Sequence, residues 1–593
     1  MDDNRHRHID VQRVENIVTA SQPTSEIQDS EAEVDAALAD LVEGEKRWAA
    51  LPLSGRIALL DRLRDLVVEH AQAWVDAAIV IKKLDKNSQL VGEEWISGPY
   101  SVAGGATALS ASLTKIASGE SPLGSAKFTK TTGGRTAVRV LPSNIFDTLL
   151  LNGFSADVWL QPGVDSSAAV RNAGLGQLDP TATNGVGAVL GAGNIMSIAP
   201  LDTIYELFAQ NRVVALKLNP VTDPLFPVFQ KVFAPFIEIG AVRILTGGAE
   251  VGGYLVNHKL VDHVHMTGSA ITHDAIVFGR GEEGARRRAA NQPILDKPMT
   301  SELGGVSPVI VVPGKWSSAD IEFQAAHVAT QRLHNGGYNC VAAQVAVISS
   351  EWEQKDEFLA ALRAAIESAP ERPAYYPGSD DRVAGALKTY PDAEKLGARD
   401  ERVLVCGLDA GEYAPLLETE YFSPVFGVVE LPHTGVEFLN TAVDLANDKF
   451  IGTLGVNIIA HPKTMKSLGG ALDSAIERLR YGTIALNAWT GVGFLTPAAA
   501  WGAFPGHTID DVQSGIGVVH NALLIDKVER TVVRGPFRPA PRSILNGELT
   551  LAPKPPWFVN NKTAAKTGEL LTRFAGKPSW AKLPAIFASA LRG

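Results

Sequence analysis

The chain has 593 residues, 45% of them hydrophobic and 20% charged, an ordinary globular composition long enough for two or three domains. A net charge of -11 gives no support for a nucleic-acid partner, and two cysteines, Cys340 and Cys406, cannot build a disulfide framework and suggest a reduced, intracellular setting. The opening stretch MDDNRHRHIDVQRVEN lacks a secretory apolar core, and no apolar run approaches the ~20 residues of a membrane helix, so the protein reads as soluble and cytoplasmic.

Residues 1–30 are polar and read as a mobile segment. From Glu31 a helical pattern sets Val34, Leu38 and Leu41 on one face; Ile57, Leu60, Leu63 and Val67 repeat it after LPLSG. RTAVRVLP and ADVWLQPGV, between residues 131 and 170, read as strands. From Gly185 the order is regular. GVGAVLG, RVVALKLNP, AVRILTGG and VDHVHMTGS are strands, separated by helices such as SIAPLDTIYELFAQ. Strands alternating with helices predict a parallel sheet covered on both faces. A second α/β series follows, with strands SPVIVVPG, AAQVAVISS, VVEL and TLGVNIIAHP.

The segment from Thr508 to Gly535 alternates like extended strand. Residues 550–593 carry seven basic residues and one acid, a net of +6 (7 - 1), with interleaved aromatics. Such a tail suits weak contact with an anionic membrane surface, but packing on the acidic body is the favoured reading.

Chemistry concentrates around HNGGYNCVAAQ. A free cysteine is usually a small buried hydrophobe, but Gly336 and Gly337 let the backbone turn tightly before Cys340 and give its sulfur access. Cys406, in RVLVCGLD, reads as plain core. Glu302, 38 positions upstream (340 - 302), stands before Gly304 and Gly305 and is placed for a general base, although a lone glutamate is normally a solvated surface group. Asn194, between a strand and a helix, suits an oxyanion donor. Lys217 ends an apolar strand, where it either snorkels or donates to ribose hydroxyls. Gly268 and Ser269 form a strand-to-helix turn whose N–H groups suit a phosphate.

Taken in order, Asn194, Lys217, MTGS (266–269), ELGG (302–305), Cys340, ETEYFSPVFG (418–427) and YGTIALNAWTG (481–491) resemble the aldehyde dehydrogenase superfamily over about residues 31–535. The 23-residue step from Asn194 to Lys217 (217 - 194) fits that resemblance. It implies an α/β fold of two domains with a β oligomerisation arm: a nucleotide-binding domain over 31–300, with the strands near 131–170 belonging to the arm, a catalytic domain over 301–505, an arm strand over 506–535 and a basic, aromatic tail over 536–593. It implies that Cys340 is the nucleophile, Glu302 the base, and Asn194 with the Cys340 N–H the oxyanion hole. Lys217, Gly268, Ser269, Glu420 and Phe422 would hold NAD or NADP, no metal is expected, and the chain would act on a small-molecule aldehyde as a homodimer or homotetramer. Pro220 stands where NAD-using members often carry glutamate, which permits NADP. Two other readings share these residues: an enzyme that passes the acyl group to coenzyme A or runs as a reductase, and a non-catalytic scaffold.

Overall fold

A computed structural model describes residues 28–410 and 414–593. The mobile segment expected at 1–30 falls mostly outside the described residues, but its last positions are tied down. Asp29 accepts a 2.6 Å hydrogen bond from the Thr246 N–H, and Ser30 and Glu33 form a reciprocal cap on the helix Glu31–Ala50. That helix buries Val34, Leu38, Leu41 and Trp48 against a six-stranded sheet, as its spacing requires.

The order of strands in this smaller sheet is Gly515–Ile516, Met299–Leu303, His263–Gly268, Val186–Leu190, Val213–Lys217 and Val242–Leu245. All neighbours run parallel except the first pair. The chain leaves Val186–Leu190 toward one edge and later returns to its other side with His263–Gly268. Between these two strands the winding reverses, and their carboxyl ends open a crevice.

The larger sheet has eleven strands. Its centre is the second predicted series, with Gly455–Ile459, Ser307–Val311, Ala343–Ser349 and Val425–Leu431 in parallel register. Val528–Arg534 extends it beyond Thr483–Leu486, and the antiparallel strands Ser155–Leu160, Thr136–Leu141 and Phe128–Lys130 complete that side.

Three expectations change. Met299–Leu303 joins the smaller sheet, so the passage between sheets falls at 304–306. The extended arm strand expected over 506–535 breaks into three: Gly515–Ile516 on the smaller sheet, Val518–His520 against Trp501–Gly502, and Val528–Arg534 in the larger sheet. Positive φ at Gly515 (127°) and Gly517 (94°) turns the chain out of each sheet in succession. Cys406 is exposed rather than core, because the register of its strand Arg402–Leu408 slips between Val405 and Leu408.

The tail packs on the body, as favoured. Its helix Ala564–Gly576 lies across Val91–Trp95, and a Cβ on Gly568 would come within 2.7 Å of the Trp95 Cβ. Phe558 is buried, with its ring 5.2 Å from both Phe323 and His327. No helix among the described residues is long and apolar enough to cross a membrane.

Candidate active site

The helix Ser318–Leu333 ends at a reversal in which Asn335, Gly336 and Gly337 have φ of 55°, 70° and 83°. A Cβ on Gly337 would sit 2.9 Å from the Ser423 carbonyl oxygen, so the close approach as well as the conformation demands glycine. The turn delivers Cys340, half-buried, ahead of the strand Ala343–Ser349.

Asparagines hold this turn in place. Asn194 Nδ2 donates to the Tyr338 carbonyl at 2.9 Å, two residues before the cysteine. Asn335 Nδ2 donates to the Asn194 and Tyr338 carbonyls at 3.0 Å each, while Tyr375 donates its hydroxyl to Asn194 O and Asn335 Oδ1. An amide carries two N–H donors, so Asn194 keeps a second one beyond its bond to Tyr338.

Glu302, near the end of Met299–Leu303, is 2% exposed. Burial pushes its carboxyl up to about 7; hydrogen bonding with Cys340 and Trp501 opposes the rise, and the charge on Asp202 adds to it. The Cys340 thiol is itself pushed well above its ordinary value, first by burial and then by the Glu302 charge and hydrogen bond. Burial and the neighbouring carboxyl thus both favour the protonated form of the thiol.

Glu420 follows the short helix Pro415–Glu418 and reaches back to the ELGG turn. Gly304 has no room for a Cβ beside the Glu420 carboxylate, and the Gly305 N–H hydrogen-bonds to it. Burial raises the Glu420 carboxyl to about 8 against the opposing charge of Arg332. Its Oε1 is buried without a hydrogen-bond partner among the described residues. Phe422, at φ 42°, lies 5.0 Å from the Tyr376 ring and 6.0 Å from Tyr338.

The remaining candidates line the crevice of the smaller sheet. Lys217 is buried at the carboxyl end of Val213–Lys217, its amine lowered to about 8 by burial despite the charge of Asp223. Its carbonyl accepts from the Gly191 N–H at 3.0 Å, joining its strand to the loop that carries Asn194. Gly268 and Ser269 are exposed at the start of the helix Ala270–Val277, where Ser269 Oγ accepts from the Thr272 N–H at 3.2 Å. The structure thus brings Cys340, Glu302 and Asn194 into one cluster with Glu420 beside it, and sets Lys217, Gly268 and Ser269 along the adjoining sheet ends.

Sequence reasoning missed a polar seam beneath Glu302. His263, His265 and Thr267 alternate along one strand, Thr300 and Glu302 along the next, and Asp202 and Glu206 stand four apart on the helix Ile198–Phe208 above them. Thr267 donates to Asp202 Oδ2 at 2.8 Å, and His265 and His520 each lie 3.5 Å from Asp202. Burial would raise the Asp202 carboxyl, but the two histidines hold it down at about 2. The signal was in HVHMTG: polar residues at period two inside an otherwise apolar strand.

The chain matches the aldehyde dehydrogenase family over residues 185–397. It is 24% identical over 274 residues to a D-glyceraldehyde dehydrogenase (NADP(+)) of Picrophilus torridus, covering 42% of this chain and 50% of that one. It is 24% identical over 284 residues to a coniferyl aldehyde dehydrogenase of a Pseudomonas species, covering 45% and 54%. The chain therefore spans about half the length of the curated relatives it matches. Among solved structures, aldehyde dehydrogenase C from Pseudomonas syringae, a mutant in complex with NAD+ and octanal, superimposes with a TM-score of 0.58. That match has 17% identity and covers 88% of this chain and 93% of that one, a likeness of fold.

Proposed function

We propose that this chain, which belongs to the aldehyde dehydrogenase superfamily, oxidises an aldehyde to a carboxylic acid through a covalent bond to Cys340. The observation that carries this reading is the contact between the Cys340 thiol and the buried Glu302 carboxyl, which titrates at about 7. Glu302 accepts the thiol proton as the sulfur adds to the aldehyde carbon, forming a thiohemiacetal. The second N–H of Asn194 and the Cys340 N–H donate to the developing oxyanion; losing one such donor typically costs about 3–4 kcal/mol of barrier. Collapse of the thiohemiacetal with loss of hydride leaves a thioester on Cys340. Glu302 releases the thiol proton to solvent, then takes a proton from water as it attacks the thioester, and returns it to the departing Cys340 sulfur as the carboxylic acid leaves.

NAD or NADP, when bound, supplies the hydride acceptor. The site's donor set fits such a group. The orphaned Glu420 Oε1 suits a ribose hydroxyl, the amine of Lys217 a second ribose, and the exposed N–H groups at Gly268 and Ser269 a phosphate. Pro220 removed one carboxylate from the adenosine end, but Asp223 lies close enough for its charge to act on Lys217. A carboxylate there disfavours a 2′-phosphate, so NAD is the expected partner. Ala192, Ile195 and Ile198 form a small buried apolar cluster against Phe494, which also packs on the Val341, Leu454, Trp501 and Val519 cluster that Cys340 joins; these apolar surroundings of the cysteine support an apolar aldehyde.

Glu302 supports hydrolysis over transfer to coenzyme A, which has less need of a water-activating base. The test is dinucleotide reduction with a series of aldehydes, NAD against NADP, with and without coenzyme A. Cys340→Ala is expected to abolish turnover while leaving dinucleotide binding, read by fluorescence, intact. Wild-type turnover by that variant sinks the proposal.

A further inference from the structure

Of the twelve large hydrophobic side chains exposed among the described residues, half fall in one region: Ile145, Ile544, Leu545, Leu549, Leu551 and Trp580. Leu549 is 93% exposed, Leu545 80%, Leu551 65% and Trp580 61%. Scattered exposed apolar residues are normal, but the segments that carry these touch one another. Phe146, on the helix Ile145–Leu150, lies 5.1 Å from the Trp580 ring and 5.2 Å from Phe574. That helix is only about 9 Å long. Two residues beyond its end, Asn152 accepts from the Thr550 hydroxyl at 2.9 Å and the Leu551 N–H at 2.7 Å. The loop from Ile544 to Leu551 turns at Gly547, φ 82°, and lifts leucines on both sides of the turn into solvent.

Beside this apolar surface the helix Ala564–Gly576 ends in a knot of positive charge. Lys582 Nζ donates to the Arg573 and Lys577 carbonyls at 2.8 Å each, and the charges of Lys577 and Arg573 act on its amine. Residues 550–593 carry a net charge of +6, whereas the other 549 residues carry -17 (-11 - 6). The molecule is therefore electrically lopsided, and a negatively charged plane would draw this face toward it. A second copy of the chain docking by the same patch about a two-fold axis would set the basic cluster against itself.

We propose that the Ile145, Leu545–Leu551 and Trp580 surface seats the protein on a bilayer carrying anionic headgroups, with the leucines and Trp580 entering the interface and Arg573 and Lys577 meeting the headgroups. Leucines and tryptophan flanked by lysine and arginine are the composition of an interfacial anchor. No helix among the described residues is long and apolar enough to span the bilayer, so the contact proposed is interfacial. The inference does not depend on the catalytic reading.

The test is co-sedimentation of the full chain with vesicles of phosphatidylcholine alone, or of phosphatidylcholine with one third phosphatidylglycerol. The wild type is expected to sediment with the anionic vesicles at low salt and to be released at high salt. Leu549→Asp with Leu551→Asp, at exposed positions, is expected to weaken that binding at least tenfold, and Lys577→Glu about threefold, with dinucleotide binding unchanged. Failure to bind anionic vesicles, equal binding to neutral ones, or undiminished binding by the leucine variant overturns the proposal. So does a drop in molar mass by light scattering in that variant, which assigns the patch to a second copy of the chain.

Discussion

Glu302 and Asp202 are both buried carboxylates on the same helix–sheet seam, yet one titrates at about 7 and the other at about 2. Asp202 sits between two imidazoles and accepts from Thr267, so its charge is compensated from three sides. Glu302 has the Cys340 thiol and the Trp501 indole as partners and feels the Asp202 charge as well. Burial alone does not make a general base. What does is burial without a cation in direct contact, next to a neighbour that has taken the cations for itself.

Breaking the Glu302 side of this contrast gives the largest expected effect. Glu302→Gln removes the base, and kcat is expected to fall by about 10²–10⁴ in steady-state dinucleotide reduction. The same variant is expected to be more stable than the wild type at pH 8. A carboxyl raised from 4.5 to about 7 binds its proton more tightly in the folded state. Stability therefore falls as pH rises from about 4.5 to 7, and above 7 the folded state carries a cost of about 3 kcal/mol, at roughly 1.4 kcal/mol per unit. Thermal melts at pH 5 and pH 8 should show the variant gaining only at the higher pH; a loss at both would mean that Glu302 is a structural group.

Breaking the Asp202 side has the opposite sign. Asp202→Asn removes the carboxylate that holds the His265 pKa up and that accepts from Thr267, at an expected loss of about 3–5 kcal/mol in denaturant unfolding at neutral pH. An unchanged midpoint would show that the histidines do not depend on this carboxylate.

The smallest effect sharpens the comparison. Burial tends to neutralise His265, but the charges of Asp202, Glu206 and Glu302 hold its pKa above the ordinary value, and its positive charge in turn lowers Glu302. His265→Gln should move the acid limb of the kcat–pH profile, where activity is lost as Glu302 gains its proton, upward by less than about one unit. A downward move would reverse the assigned polarity of the seam.

Both α/β series were legible because their signals are local. GVGAVLG and SPVIVVPG are short apolar runs between turn residues, and Val34, Leu38 and Leu41 repeat at helical spacing. The glycine turn before Cys340, and Glu302 ahead of Gly304, stood out for the same reason. The broken course of 508–535 did not, because alternation along one segment carries no record of which sheet each piece will join. Cys406 was misread because a register slip, a property of two strands, turned it outward.

What the order of residues determined by itself was therefore the set of elements and the chemical identity of the reacting groups: a thiol on a glycine turn, a carboxyl before Gly-Gly, an amide after a strand. The tertiary structure decided their protonation, the pairing of Asp202 with two distant histidines, and which leucines of the last sixty residues face outward. Those depend on burial and on titratable groups brought together from 63 (265 - 202) to 318 (520 - 202) positions apart, and desolvation acts only once the fold has closed around them.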